Sequence, residues 1–375
     1  MNMSISGRKA LSLLTIVCFC GLLELAVLPV PVRACGAAAA DRSAEHDEQP
    51  NYVVMESASH GAGKKARSLL PWIVGGGVVL AALLVLLLTK KSGDAVTVEE
   101  FGGHGTTDGL FDDPSGIALD DDGNVYVSDR DNRRIQKFTA NGKFIKKWGF
   151  TPGLYPHGLV VDGGRLFVCD VNTSGSNLQI FDLEGNHQAA WKVPDFNVLS
   201  GSPAAVDVDA DGSGNLYVLD NINRVVVVYN AVGTVSGHFR VDRDNPWPGP
   251  NGIAVAGNQV FVAESSDNQY GNRINVFTTS GAFVRTWGSP GSGAGQFRNP
   301  IGIALMGGAS LIVGDHNVAP TFARIQKFDL GGGYQGVIQP ASGSFYAKAL
   351  AVNEPAGKIY VCAGNNDTIL VVDTF

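Results

Sequence analysis

From Pro114 onward, short apolar runs alternate with turn residues. Ile117-Ala-Leu is followed by Asp-Asp-Asp-Gly, Val125-Tyr-Val by Ser-Asp-Arg-Asp-Asn-Arg, Ile135 to Phe138 by Asn141-Gly142, and then Phe144-Ile. Runs of this length, rich in Val, Ile, Phe and Tyr and bounded by Gly, Asn and Asp, predict strands joined in hairpins. The same order returns along the chain. PSGIALDDDGNVYV starts at Pro114, PHGLVV at Pro156, PAAVDVDADGSGNLYV at Pro203, PNGIAV at Pro250 and PIGIAL at Pro300, with a degenerate AKALAV at Ala347. The position two after the leading residue is Gly116, Gly158, Ala205, Gly252, Gly302 and Ala349, at intervals of 42, 47, 47, 50 and 47. A unit of about 45 residues with four strands is the size of one propeller blade.

The first five copies end in a further strand-like segment: FIKKWG, QAAW, VSGHF, FVRTWG and YQGVI. The sixth copy stops at Phe375 without one, while VTVEEFGG at 96–103 stands alone before the first copy. This segment is expected to complete the last blade and so remove two exposed sheet edges. The expectation is an all-β, six-bladed β-propeller over 96–375, preceded by a transmembrane helix.

The first 95 residues follow other rules. Leu11 to Leu23 is an apolar run behind Arg8 and Lys9, with Val32 and Ala34 as a small-residue pair. It reads as a signal-peptide-like leader over 1–34. Residues 35–68 are polar and without period, a linker. LLPWIVGGGVVLAALLVLLL at 69–88 has no charge, and about 20 apolar residues match the thickness of a bilayer. Lys64, Lys65 and Arg67 precede this span and Lys90 and Lys91 follow it. That bias places the C-terminal body outside the cytoplasm, although a cleaved leader would place it inside.

Composition agrees with turns and strands: Gly is 48 of 375 residues, and charged residues are 17%. The formal charge is −7, from 28 Lys and Arg against 35 Asp and Glu. The first 95 residues hold nine basic and seven acidic side chains, which leaves the repeat body at −9. Such a body repels phosphate backbones and disfavours nucleic acid as a partner. Five Cys are too few for a disulfide scaffold. Cys169 and Cys362 fall on equivalent strands of non-adjacent blades and read as small buried residues.

The repeated P-x-G-I-A-[VL]-D, [IV]-Y-V-x-D, N-x-R-I-Q-x-F and G-x-F segments resemble the NHL repeat. The first copy carries nearly the whole pattern: Gly116, Ile117, Asp120, Tyr126, Asp129, Asn132, Arg134, Ile135, Gln136, Phe138, Gly142 and Phe144. The resemblance covers about three quarters of the chain and implies a six-bladed propeller. In that fold the residue after the leading Pro stands at the mouth of the central channel: Ser115, His157, Ala204, Asn251, Ile301 and Lys348. The enzymatic branch of the family, similar to peptidyl-amidoglycolate lyase, implies a ring of His holding zinc. Here only His157 has the P-H-G context, and zinc needs about three protein ligands. No metal, cofactor or catalytic residue is therefore assigned.

Asp207 fills an inner-strand position that is Ala118, Val160, Ala254, Ala304 and Ala351 in the other copies. A buried acid there needs a partner, and His157 and Lys348 are the expected ones. A ligand or sensor site of His157, Asp207, Asn251 and Lys348 follows. Longer loops after the second strand of copies two, four and five add Tyr270, His316 and Phe322 as contact residues. The D-x-x-N-x-R pattern, exemplified by Asp129, Asn132 and Arg134, recurs from copy to copy and reads as structural. Asp207, Asp209 and Asp211-Gly212 lack the Glu of a calcium loop and read as a hairpin turn. The function expected is that of a membrane-anchored binding, scaffold or sensor module for a protein, peptide or glycan. The alternatives are a metal-dependent lyase or lactonase of propeller type and, disfavoured by charge, an RNA-binding domain.

Overall fold

The computed structural model describes residues 98–149, 154–172, 175–196, 203–241, 249–265, 271–316, 323–339 and 345–375. The expected leader, linker and membrane span lie outside them, as do Tyr270 and Phe322. No helix among the described residues is long and apolar enough to cross a membrane.

The chain enters as β1 (Val98–Gly102) and then builds its blades in order. Blade 1 is β2 (Pro114–Leu119), β3 (Val125–Asp129), β4 (Arg134–Phe138) and β5 (Phe144–Gly149). Blade 2 is β6 (Pro156–Asp162), β7 (Arg165–Asn172), β8 (Gly175–Asp182) and β9 (His187–Lys192). Blade 3 is β10 (Ala205–Ala210), β11 (Leu216–Asp220), β12 (Val225–Tyr229) and β13 (Val235–Arg240). Blade 4 is β14 (Gly249–Ala256), β15 (Gln259–Ser265), β16 (Arg273–Thr278) and β17 (Phe283–Trp287). Blade 5 is β18 (Pro300–Met306), β19 (Ser310–Asp315), β20 (Arg324–Asp329) and β21 (Tyr334–Ile338). Blade 6 is β22 (Ala347–Asn353), β23 (Lys358–Ala363) and β24 (Thr368–Asp373). Each is a four-stranded antiparallel sheet, and the fourth strand of blade 6 is β1, paired with β24 from Val98 opposite Val372 to Gly102 opposite Thr368. The segment left over at the start of the repeats thus closes the ring.

The burial pattern explains the apolar runs. Every residue of β3, β11 and β12 is buried, because a middle strand is covered by a neighbouring blade on each face. The outer strands β5, β13 and β17 alternate, with one face packed and one in water. The core is correspondingly divided. Six apolar clusters each join two successive blades, such as Ala118, Tyr126 and Ile135 with Leu159, Leu166 and Val168 between blades 1 and 2. The cluster between blades 6 and 1 closes the set. No blade has a core of its own. Each buried aliphatic side chain contributes about 1.5–3 kcal/mol only when the next blade is in place.

An acid near the end of the second strand anchors blades 1 to 5 from inside, while blade 6 has Ala363 at that position. Asp129 is fully buried and accepts from Arg134 Nε at 2.6 Å, Asn132 Nδ2 at 3.0 Å, Gln136 Nε2 at 3.0 Å and the Asp112 N–H at 2.8 Å. Arg134 then donates to the carbonyls of Thr106, Thr107 and Leu110, tying down the strand that enters the blade. Asp315 and Arg324 repeat the arrangement in blade 5, and Glu264 and Arg273 in blade 4. In blade 3, Arg224 does not play this part. Its backbone, at φ 55°, matches that of Arg133, while Val225 fills the place of Arg134.

Blade 3 also differs from its expected register. Pro114 stands opposite Asp129 and Gly116 opposite Ser128; Ala205 stands opposite Asp220 and Asp207 opposite Leu219. Ala205 is therefore the counterpart of Pro114, not of Gly116. Asp207 takes the glycine position, Val206 rather than Ala204 takes the position after Pro, and Asp209 matches Ala118. The turns confirm the shift. Asp211 Oδ1 accepts from Ser213 N and Asn215 N as Asp120 Oδ1 accepts from Asp122 N and Asn124 N. Leading Pro203 misaligned the copy by two residues, and the turn, whose side-chain geometry is demanding, holds the true register.

Candidate functional site

The first strands of the six blades surround a central channel. Its volume is about 290 Å³, and residues from β2, β6, β10, β14, β18 and β22 line it. Each inner strand begins with a register shift that bulges one residue out of the ladder: Ser115, His157, Val206, Asn251, Ile301 and Lys348. A bulge re-aims the side chain it carries. The following glycine exists for a packing reason. A Cβ on Gly116 would lie 2.3 Å from the His157 carbonyl oxygen, and one on Gly252 would lie 2.1 Å from that of Ile301. The P-x-G signature is therefore the device that brings adjacent inner strands together and presents x at the channel mouth.

His157, Asn251 and Lys348 occupy this bulged position on blades 2, 4 and 6. Asn251 Nδ2 donates to Gly249 O at 2.8 Å and to Ser265 Oγ at 2.5 Å. Ser115 Oγ donates to Pro156 O at 3.0 Å, bracing blade 1 against blade 2. Lys348 does not reach for Asp207. Its Nζ pairs with Asp113, which also receives Arg130 Nη2. The Asp113 N–H donates to Asp367 Oδ1 at 2.9 Å, and His104 Nδ1 lies 3.0 Å from Asp367 Oδ2. Burial, reinforced by Arg130 and Lys348, pushes the His157 imidazole down to about 4, so it is neutral at physiological pH. A neutral imidazole offers one donor and one acceptor nitrogen at the mouth.

His316 belongs to the same end of blade 5. Its Nδ1 lies 3.3 Å from Phe345 O, its ring centroid lies 3.9 Å from that of Tyr346, and burial lowers its pKa. It is packed between blades 5 and 6 as well as being near the mouth.

Asp207 lies deeper, and its partners are backbone. Its Oδ1 accepts from Val208 N at 3.0 Å and its Oδ2 from Ile253 N on β14 at 3.0 Å. His157 and Lys348 are not its hydrogen-bond partners, because the two-residue shift moves its side chain toward blade 4. Asp209, which the misaligned repeat concealed, does the same one pleat along. Its Oδ1 accepts from Ala210 N at 2.9 Å and its Oδ2 from Val255 N at 2.7 Å. These two are the only charged side chains lining the channel among the described residues. Burial pushes each up to about 7. No group of three His, Cys, Asp or Glu close enough to share a metal ion occurs among the described residues. Cys169 and Cys362 are free and buried, and burial raises both thiols. Asp113, Arg130 and Asp209 are the site residues that sequence reasoning missed. The DGSGN turn of blade 3, set against DDDGN of blade 1, was the signal that would have exposed Asp209.

Comparison with known proteins supports this architecture. Residues 111–138 match the family model of the NHL repeat. Protein brain tumor of Drosophila melanogaster is 26% identical over 147 residues, which is 37% of this chain and 14% of that protein. The chain thus corresponds to a small part of that relative. Virginiamycin B lyase from Staphylococcus aureus aligns over 75% of this chain and 100% of its own, with a TM-score of 0.50 and 14% identity. A gluconolactonase from Xanthomonas campestris aligns over 76% of this chain and 99% of its own, with a TM-score of 0.51 and 15% identity. A luciferin-regenerating enzyme aligns over 75% of this chain and 98% of its own, with a TM-score of 0.53 and 13% identity. Identities this low speak for the shared fold alone. The chain is thus a six-bladed β-propeller whose first blade, at residues 111–138, matches the NHL repeat.

Proposed function

We propose that the propeller is a binding module that engages a protein, peptide or glycan at the mouth of its channel and is held near a bilayer by the segment at 69–88. One observation carries this reading. The ring repeats a rigid frame six times, yet the bulged position at the mouth holds six different side chains. Ser115, His157, Val206, Asn251, Ile301 and Lys348 combine hydroxyl, imidazole, amide, aliphatic and ammonium groups on a fixed circle. Rigid elements that present varied side chains are how propellers and other scaffolds recognise partners. The propeller's placement outside the cytoplasm, and contacts from Tyr270, His316 and Phe322, belong to the same proposal. Site-directed photo-crosslinking in cells tests it, with the reactive residue at Asn251 or at Val232, an exposed turn position remote from the mouth. Capture of a discrete partner from Asn251 and not from Val232 is the expected result. Equal labelling from both positions, or none from Asn251, refutes it. Protease access to a C-terminal tag on intact cells separately tests the orientation.

The lyase or lactonase reading rests on neighbours that share only the fold. The two carboxylates in the channel are each engaged with the backbone of β14. Among the described residues this arrangement favours recognition over hydrolysis.

A further inference from the structure

Five seams of the ring join inner strands through small residues. The positions matching Asp207 are Gly116, Gly158, Gly252, Gly302 and Ala349, and those matching Asp209 are Ala118, Val160, Ala254, Ala304 and Ala351. None has a side chain able to accept a hydrogen bond. At the seam between blades 3 and 4 two carboxylates fill this space instead. Each straddles one N–H of its own strand and one of β14, at Ile253 and Val255. The channel-facing edge of β14 is thereby satisfied by side chains of the neighbouring blade.

We infer that Asp207 and Asp209 make the seam between blades 3 and 4 a protonation-controlled joint of the ring, closed when the acids are neutral and loosened when both ionise. Both side chains are half-buried, but what they meet is a narrow channel lined by aliphatic side chains and exposed backbone rather than open solvent. Two like charges, two residues apart on one strand, would have to be held there together. The strands packed against β10 offer little relief. β6 contributes Asp162 and His157, β7 contributes Arg165, Cys169 and Asp170, β8 contributes Asp182, and β11 contributes Tyr217 and Asp220. β14 carries no titratable side chain. Arg165, the one cation in this set, is paired across the ladder with Asp162 and lies over the Phe167 ring. His157 is kept neutral. The backbone N–H bonds to both oxygens of each acid favour the charged form, and burial outweighs them; a protonated acid still keeps a carbonyl oxygen for the β14 N–H. An ionised pair must draw water into the channel, and the joint that yields is the one carrying the charge.

The sign follows from linkage. Burial raises both acids to about 7 in the folded ring, above the usual range near 3.9. Between those values the folded state binds more protons than the unfolded one. The stability they contribute is present at low pH and is lost as pH rises through about 7.

The test is amide hydrogen exchange on the full-length protein at about pH 5 and about pH 8.5, corrected for the intrinsic chemical rate. Protection at Ile253 and Val255 should fall roughly tenfold or more at the higher pH, while Leu159, Ile303 and Leu350 at the other seams change little. Asp207→Asn with Asp209→Asn should remove the difference. If that variant fails to fold, the carboxyl carbon NMR shifts of the two residues in the wild-type protein still decide, and titration near neutrality supports the joint. Titration at an ordinary carboxylate pH overturns it. So do protection that is independent of pH and a loss of equal size at every seam.

Discussion

The Asp129–Arg134 pair is the most exposed point of the structural argument. Arg134→Met keeps most of the aliphatic stem and removes the guanidinium. The Asp129 carboxylate then retains Asn132, Gln136 and the Asp112 N–H, and loses its shortest bond, at 2.6 Å. The carbonyls of Thr106 and Thr107 lose their donor from Arg134, while Leu110 keeps Gln136. Asp129 is fully enclosed and Arg134 nearly so. Removing one partner of such a pair costs about 3–5 kcal/mol, because the remaining charge stays buried. The loss should appear as a lower urea midpoint of the full-length protein with little change in slope. Burial already holds Asp129 above the ordinary carboxylate range, against the pull of Arg134. Without the guanidinium it moves higher still and takes up a proton more readily. The deficit should therefore shrink as pH falls from about 7 to about 5, since the folded variant then gains protons that the unfolded chain does not. A loss below about 1 kcal/mol would mean that the pair behaves as a surface ion pair. A deficit that grows on acidification would also refute the reasoning.

Further outcomes follow from other parts of the ring. Gly252→Ala puts a methyl 2.1 Å from a backbone carbonyl and should cost about 1–3 kcal/mol or more. Gly237→Ala has open space and no positive φ, so it should be neutral or gain about 0.4–1 kcal/mol by denaturation. His157 should show no imidazole NMR titration between about pH 5.5 and 8, and appearance of an ordinary midpoint near 6.5 would contradict its enclosure. Disrupting β1 uncovers β24, so the full-length variant should associate with rising concentration in light scattering. Cys169 and Cys362 should resist thiol reagents in the native state and react only on unfolding, because burial disfavours both thiolates.

Much of this protein is written locally. Strand runs such as Val125-Tyr-Val-Ser-Asp, the turns between them and the sixfold return of P-x-G determined the propeller. The unpartnered 96–103 segment determined how the ring closes, since an odd strand at one end must meet the odd edge at the other. The mouth positions His157, Asn251 and Lys348 followed from the same period, because repetition fixes which residue begins each inner strand. What the period could not supply was the exception. Pro203 imitates the leading residue of a copy. Only the ladder, with Ala205 opposite Asp220, reveals that Asp207 stands where a glycine belongs and that Asp209 stands beside it. Pairings across blades were equally hidden. Lys348 meets Asp113 over a separation of 235 residues, and Asp207 meets Ile253 over 46. The reason is physical. Strand and turn preferences act over a few residues, whereas a side chain's partner at the axis depends on which blade lies next to it. That neighbour is in place only after the whole ring has closed.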